Sequence, residues 1–254
     1  MDRIIQSEET YRKLFGDTQP AMLSTNPELQ NILSRFIFGE VCHQGGLDAQ
    51  TRELITIVVL AAQQTMPQLR THVGAGLNVG LTPEEIQEAL YQCVPYIGFP
   101  KTLNAVGEMN AVFQSAGIAL PLPEQGTVDE GTRFDKGLSV QKAIFGETID
   151  QMRAAAPDGQ KHIQDYLSTF CFGDIYTRKV LDLPTRELLT LCIISALGGC
   201  EPQVKAHVQG NLNAGNSKQD MVDAMTQCLP YMGFPRTLNA FACINSVIPE
   251  QVSQ

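Results

Sequence analysis

Thr51-Arg-Glu-Leu-Ile-Thr-Ile-Val-Val-Leu-Ala-Ala-Gln-Gln-Thr-Met-Pro-Gln-Leu-Arg-Thr-His72 returns later in the chain, little altered, as Thr185-Arg-Glu-Leu-Leu-Thr-Leu-Cys-Ile-Ile-Ser-Ala-Leu-Gly-Gly-Cys-Glu-Pro-Gln-Val-Lys-Ala-His207. Whatever the chain does, it is built to do twice. In each copy a carboxylate, Glu53 or Glu187, opens an apolar run, and an imidazole, His72 or His207, follows a Pro-Gln break. The segment from Ile55 to Val59 is β-branched and resembles a strand in isolation. Its apolar character continues past the length of a strand, so the spacing predicts a helix that is apolar on every side and buried between other helices.

Working outward, Asp48 and Asp182 stand where N-caps belong, and Pro184 falls in a first helical turn, where a missing N–H costs nothing. Pro67 and Pro202 open the next helix, which sets Gln68 and His72, or Gln203 and His207, four residues apart on one face. Gly80 and Gly215 close it. Thr82-Pro-Glu-Glu85 is a capping box, and Ser217-Lys-Gln-Asp220 is a weaker one. Gln92-Cys-Val-Pro-Tyr-Ile-Gly-Phe-Pro-Lys-Thr-Leu-Asn-Ala105 and Gln227-Cys-Leu-Pro-Tyr-Met-Gly-Phe-Pro-Arg-Thr-Leu-Asn-Ala240 agree at 11 of 14 positions. Prolines around an aromatic residue and a glycine predict a corner that no helix crosses.

The repetition extends upstream. Tyr11-Arg-Lys-Leu-Phe-Gly-Asp-Thr18 is echoed by Val140-Gln-Lys-Ala-Ile-Phe-Gly-Glu-Thr148. Leu33-Ser-Arg-Phe-Ile-Phe-Gly-Glu40 is echoed by Leu167-Ser-Thr-Phe-Cys-Phe-Gly-Asp174, each read as a helix ending in a turn glycine. A Pro- and Gly-rich stretch joins the copies. The expected organisation is all-α: two tandem helical domains, 1–117 and 132–254, each long enough to bury a core, with 118–131 as linker.

Lys and Arg number 18 against 27 Asp and Glu, a net charge of −9 with no basic run, so the cations that neutralise phosphates are lacking and no nucleic-acid partner is expected. No apolar run approaches the roughly 20 residues that cross a bilayer, and the amino end carries no signal segment. Seven cysteines without a disulfide framework suit a reducing compartment, and a cytoplasmic protein is expected.

The Thr-Arg-Glu-Leu words, the histidines after the helix break, Asn-x-Gly before a capped helix and Tyr-x-Gly-Phe-Pro together resemble the carboxymuconolactone decarboxylase family of the alkylhydroperoxidase D-like superfamily, here in tandem. The resemblance implies an all-helical domain that assembles into hexamers with sites in inter-subunit clefts, so that a homo-oligomer of three such chains supplies six domains. It also implies two branches of chemistry. Peroxidase-like members carry Cys-x-x-Cys just before the histidine; the corresponding positions here are Thr65 and Gln68, and Cys200 and Gln203. A disulfide cycle needs an attacking and a resolving sulfur, so that chemistry is not available in either copy. Decarboxylase members lack the pair and keep the histidine. The substrate they imply is a small polycarboxylated lactone, an organic anion decarboxylated without cofactor or metal.

On that reading His72 and His207 are candidate proton donors, with Glu53 and Glu187 orienting them. Arg52, Arg70, Arg186 and Lys205 are candidates to grip substrate carboxylates, and Tyr96 and Tyr231 to line a cleft. Each has a plainer account: a core hydrogen bond for the histidines, an Arg52–Glu53 ion pair, structural salt bridges, packing. Cys200 lies near a helix N-terminus, where thiolate is favoured, so thiol-dependent peroxide reduction is the alternative activity. A non-catalytic small-molecule binding or assembly protein is the third reading.

Overall fold

The computed structural model describes residues 2–18 and 20–250, and among them it contains only helices and connections. The first copy runs through α1 (Arg3–Phe15), α2 (Pro27–Ile37), α3 (Ala49–Gln63), α4 (Met66–Asn78), α5 (Pro83–Gln92), the single turn α6 (Val94–Ile97) and α7 (Phe99–Ser115). The second runs through α8 (Arg133–Phe145), α9 (Thr148–Ala155), α10 (Lys161–Tyr166) with a π-helical continuation over Leu167–Tyr176, α11 (Leu183–Leu197), α12 (Glu201–Ala214), α13 (Lys218–Met232) and α14 (Phe234–Val247). No described helix is long and apolar enough to cross a membrane.

Local chemistry sets the boundaries. Asp48 accepts a hydrogen bond from the Thr51 amide at 2.7 Å and Asp182 from the Thr185 amide at 2.9 Å, so both motif helices begin on a carboxylate cap. Both capping boxes close. At the far end of α3, Gln64 adopts a left-handed conformation (φ 59°), unusual for a residue with a side chain. Its amide donates to the carbonyls of Ala61 and Lys101 and its side-chain oxygen accepts from Asn104, which holds the turn. The second copy uses Gly198 (φ 72°) there instead.

Gly173 and the repeated corner depart from the local expectation. Gly39 lies in the turn after α2, as expected, but Gly173 lies within the π-helical stretch, and both glycines also serve packing. A Cβ at Gly39 would stand 2.2 Å from the Arg3 carbonyl oxygen, and one at Gly173 would stand 2.3 Å from that of Arg133, so each glycine lets two helices touch backbone to backbone. The repeated corner is crossed by a helix in the second copy: α13 continues through Pro230 and stops only at Gly233 (φ 80°), whereas the first copy breaks into α6 and ends at Gly98 (φ 80°). Finally, the main core draws on both copies. One cluster joins Ile55, Ile57 and Leu60 of α3 to Leu191 and Ile193 of α11 and to Met221 and Met225 of α13. α3 and α11 pack on each other at its centre, which explains why both are apolar all round. The connecting stretch lies on this body, with Ile118, Leu120 and Leu122 packed against the core and the Gln125 carbonyl accepting from the Lys179 amide.

Candidate active site

α3 and α4 bring Glu53 and His72 together: Nδ1 of the imidazole lies 2.8 Å from Oε2 of the carboxylate. α11 and α12 do the same for Glu187 and His207 at 2.9 Å. All four side chains are buried, with the imidazoles only 7 % and 8 % exposed. An ionised carboxylate accepts only, so the facing Nδ1 carries the proton, and Nε2 is left for a substrate. Glu53 therefore pairs with His72 and not with its neighbour Arg52.

Each imidazole is held from the sides as well. Phe15 at the end of α1 meets the His72 ring edge-on with centroids 5.7 Å apart, and Phe145 at the end of α8 meets His207 at 5.3 Å. Asn78 donates to the Leu14 carbonyl and Asn213 to that of Ile144, which pins these helix ends against α4 and α12. The Asn-x-Gly element thus has a positional reason: its asparagine sets the aromatic wall.

A third wall comes from the other copy. Tyr231 of α13 stands perpendicular to His72 at 5.5 Å, and Tyr96 of α6 stands nearly so to His207 at 6.0 Å. Both sites therefore straddle the two repeats. The tyrosine rings are partly exposed, but their hydroxyls turn inward. Burial pushes both phenols well above their ordinary range, with further upward pressure from Cys171 and Glu187 on Tyr96, and from Glu53 and Cys42 on Tyr231, so both remain neutral hydroxyls.

The arginines of the motif do other work than substrate gripping. Arg52 donates to the carbonyls of Val41, Gln44 and Leu47 and to Gln227 Oε1. Arg186 donates to the carbonyls of Arg178, Lys179 and Leu181, to Gln92 Oε1 and to Glu88. With their donors taken up inside the protein, these guanidinium groups are struts that tie a glutamine of one copy to the motif helix of the other. Arg70 lies on the surface against Glu108, and Lys205 borders a shallow hollow with Glu201, Asn239 and Cys243. Spacing singled out the arginines for their charge; Gln92 and Gln227, which open the most faithfully repeated words of the chain, carried the signal that was missed.

Cys200 is half-buried, and its thiol donates to the Gly198 carbonyl at 3.5 Å. It borders a small depression with Arg236, Asn239 and Cys243, and neither Glu187 nor His207 lines it. Mass spectrometry after dilute peroxide is expected to find Cys200 as unmodified thiol, because no acid–base partner reaches it there; a sulfenic acid on this residue would restore the peroxidatic reading. The roomier hollows also lie away from the imidazoles. One of about 650 Å³ is walled by Tyr91, Arg178 and the connecting stretch, and one of about 430 Å³ by α1 and α2.

The sequence that folds this way has relatives among known proteins. A sequence model of the carboxymuconolactone decarboxylase family matches residues 27–111 and again 161–245. The chain belongs to that family. It is 40 % identical over 94 residues to 4-carboxymuconolactone decarboxylase of Acinetobacter baylyi, covering 37 % of this chain and 70 % of that one. It is 30 % identical over 77 residues to nitrosuccinic acid decarboxylase npaB of Metarhizium robertsii, covering 30 % and 54 %. Peroxisomal protein 2 of Schizosaccharomyces pombe is 24 % identical over 161 residues, 60 % of this chain and 68 % of its own.

Proposed function

We propose that the chain is a cofactor-independent carboxy-lyase acting on a small polycarboxylated lactone or a related unsaturated acid. The observation that carries this reading is the buried Nδ1–carboxylate contact, made twice, which fixes the tautomer and leaves one imidazole nitrogen for substrate. In the reaction the bond to the departing carboxylate breaks, carbon dioxide leaves, and the electron pair enters the conjugated system of the lactone. His72 or His207, carrying on Nε2 a second proton taken up from water, delivers it to carbon and returns to the neutral Nδ1–H form, and Glu53 or Glu187 stabilises the imidazolium before that transfer. Arg52 and Arg186 hold the seam rather than the substrate. Two relatives named as decarboxylases support this class of chemistry. The test is purified protein with 4-carboxymuconolactone, following loss of lactone and release of carbon dioxide. Turnover is expected; its absence over a panel of small carboxylated lactones and unsaturated acids would leave a binding or assembly protein.

Oligomerisation belongs to the same reading. Phe99 and Leu103 on α7 are 58 % and 64 % exposed, and their counterparts Phe234 and Leu238 on α14 are 61 % and 59 % exposed. Large apolar side chains bared at matching places in both copies are suited to burial against further copies of this chain. Light scattering is expected to give three chains per particle, and Leu103→Glu with Leu238→Glu to give a smaller one. A wild-type monomer would contradict this.

A further inference from the structure

The two sites differ at one position that neither the shared pair nor the family match explains. Where the first copy has Cys42, the second has Tyr176, at the end of the π-helical stretch. The Tyr176 hydroxyl donates to Glu187 Oε1 at 2.7 Å, on the carboxylate oxygen that His207 does not use. Behind it runs a chain of hydrogen bonds that begins at a guanidinium. Arg186 donates to Gln92 Oε1 at 2.9 Å, Gln92 Nε2 donates to Thr190 Oγ1 at 3.0 Å, and the Thr190 hydroxyl lies 2.8 Å from that of Tyr176. Tyr96, the residue facing His207, joins the same knot at 3.0 Å from the Tyr176 hydroxyl. Each donor in such a chain polarises the next, and the charged guanidinium at its head strengthens the final bond to Glu187.

The first copy starts the same chain and does not finish it. Arg52 donates to Gln227 Oε1 at 3.0 Å and Gln227 Nε2 to Thr56 Oγ1 at 3.2 Å. The Thr56 hydroxyl then donates back to the Arg52 carbonyl at 2.9 Å, away from Glu53. Cys42 stands where the tyrosine hydroxyl would complete the path. Burial, with Glu53 beside it, pushes its thiol up to about 12, so it is neither an anion nor a strong donor at neutral pH.

We propose that Tyr176 is a positioning residue of the second site alone: it locks Glu187, and through it the His207 ring, so that the two sites of one chain turn over at different rates. This rests on the lyase reading above for its kinetic consequence, but its structural part does not. The experiment uses the full chain with ¹⁵N-histidine labelling and reads the Nδ1–H resonances of His72 and His207, assigned from His72→Ala and His207→Ala. Tyr176→Phe keeps the ring packed on Phe172 and removes only the hydroxyl. It is expected to shift and broaden the His207 resonance and leave that of His72 in place. Tyr176→Cys, which copies the first site, is expected to bring the His207 signal towards that of His72.

In a His72→Ala background, Tyr176→Phe is expected to lower kcat about tenfold with KM held within about twofold, the size that loss of one hydrogen bond to a charged group gives. An unmoved His207 resonance, equal shifts of both histidines, or a KM rise at constant kcat would each overturn the proposal. If no lactone is turned over by the unmodified protein, the lyase reading fails and the resonances still decide the role of Tyr176.

Discussion

Replacing both imidazoles, His72→Ala together with His207→Ala, is expected to lower kcat by about 10²- to 10⁴-fold on any lactone the unmodified protein decarboxylates, the range a positioned acid–base group supplies. The size follows from what is left behind. The walls made by Phe15, Tyr231, Phe145 and Tyr96 still shape the two sites, so binding persists and the loss appears in kcat rather than KM. Each single variant retains the other site, so neither alone falls by that factor. Their residual rates also measure the two sites separately, and unequal values would accord with the difference between Cys42 and Tyr176. Glu53→Gln with Glu187→Gln tests the second half of the pair. A neutral amide still accepts from Nδ1 but no longer stabilises the imidazolium, so a smaller fall is expected than for the alanine pair. Circular dichroism and thermal melts check that the helices remain. If the double alanine variant retains full kcat, the pairs are core hydrogen bonds and the chemistry lies elsewhere.

Much of this architecture was legible from local signals. Duplication was visible in repeated words, and the caps at Asp48 and Asp182 and the boxes at Thr82 and Ser217 follow from hydrogen bonds that span three residues. The Glu–His pairs were legible as residues, since both copies repeat them. Which oxygen met which nitrogen was not. What stayed hidden was everything set by α3 lying on α11. Gln227 reaches Arg52 across 175 positions of sequence, and Tyr231 reaches His72 from the opposite copy. No periodicity encodes such a contact, because it depends on how two buried helices cross. The glycines show the same limit: Gly173 looks like a turn residue in one dimension and is a contact point between helices in three. Arg52 and Arg186 were read by their charge, yet their burial under carbonyls and glutamines decides what they do.

That burial leads to the largest expected effect on stability. Glu88 is fully buried, as is Arg186, and it takes Arg178 on both oxygens and Arg186 on one, at 2.9 to 3.1 Å. Arg178 also lies over the Tyr91 ring, so the cluster joins α5 to the segment entering α11. Glu88→Ala removes the carboxylate at the centre of this cluster and leaves the Arg186 guanidinium without its counter-charge in the interior. Breaking a buried pair from one side costs about 3–5 kcal/mol, because desolvation of the remaining charge is no longer offset. For a chain of this size, a loss of that order is expected to lower the melting temperature by about 10 °C, read by calorimetry or by denaturant titration with an unchanged m value. Asp223, the counterpart of Glu88, accepts from the Gly46 amide and from Gln219 rather than from an arginine fork, so Asp223→Ala is expected to cost less. The decisive comparison is Glu88→Met with Arg186→Met. Removing both fully buried charges and filling the space with apolar volume should recover part of what Glu88→Ala loses, since only Arg178, which reaches water, is then left without its carboxylate. A Glu88→Ala variant that melts within a degree or two of the unmodified protein would mean that Arg186 finds water or another acceptor at once. The seam between the copies, and with it the placement of both imidazoles, would then rest on apolar packing alone.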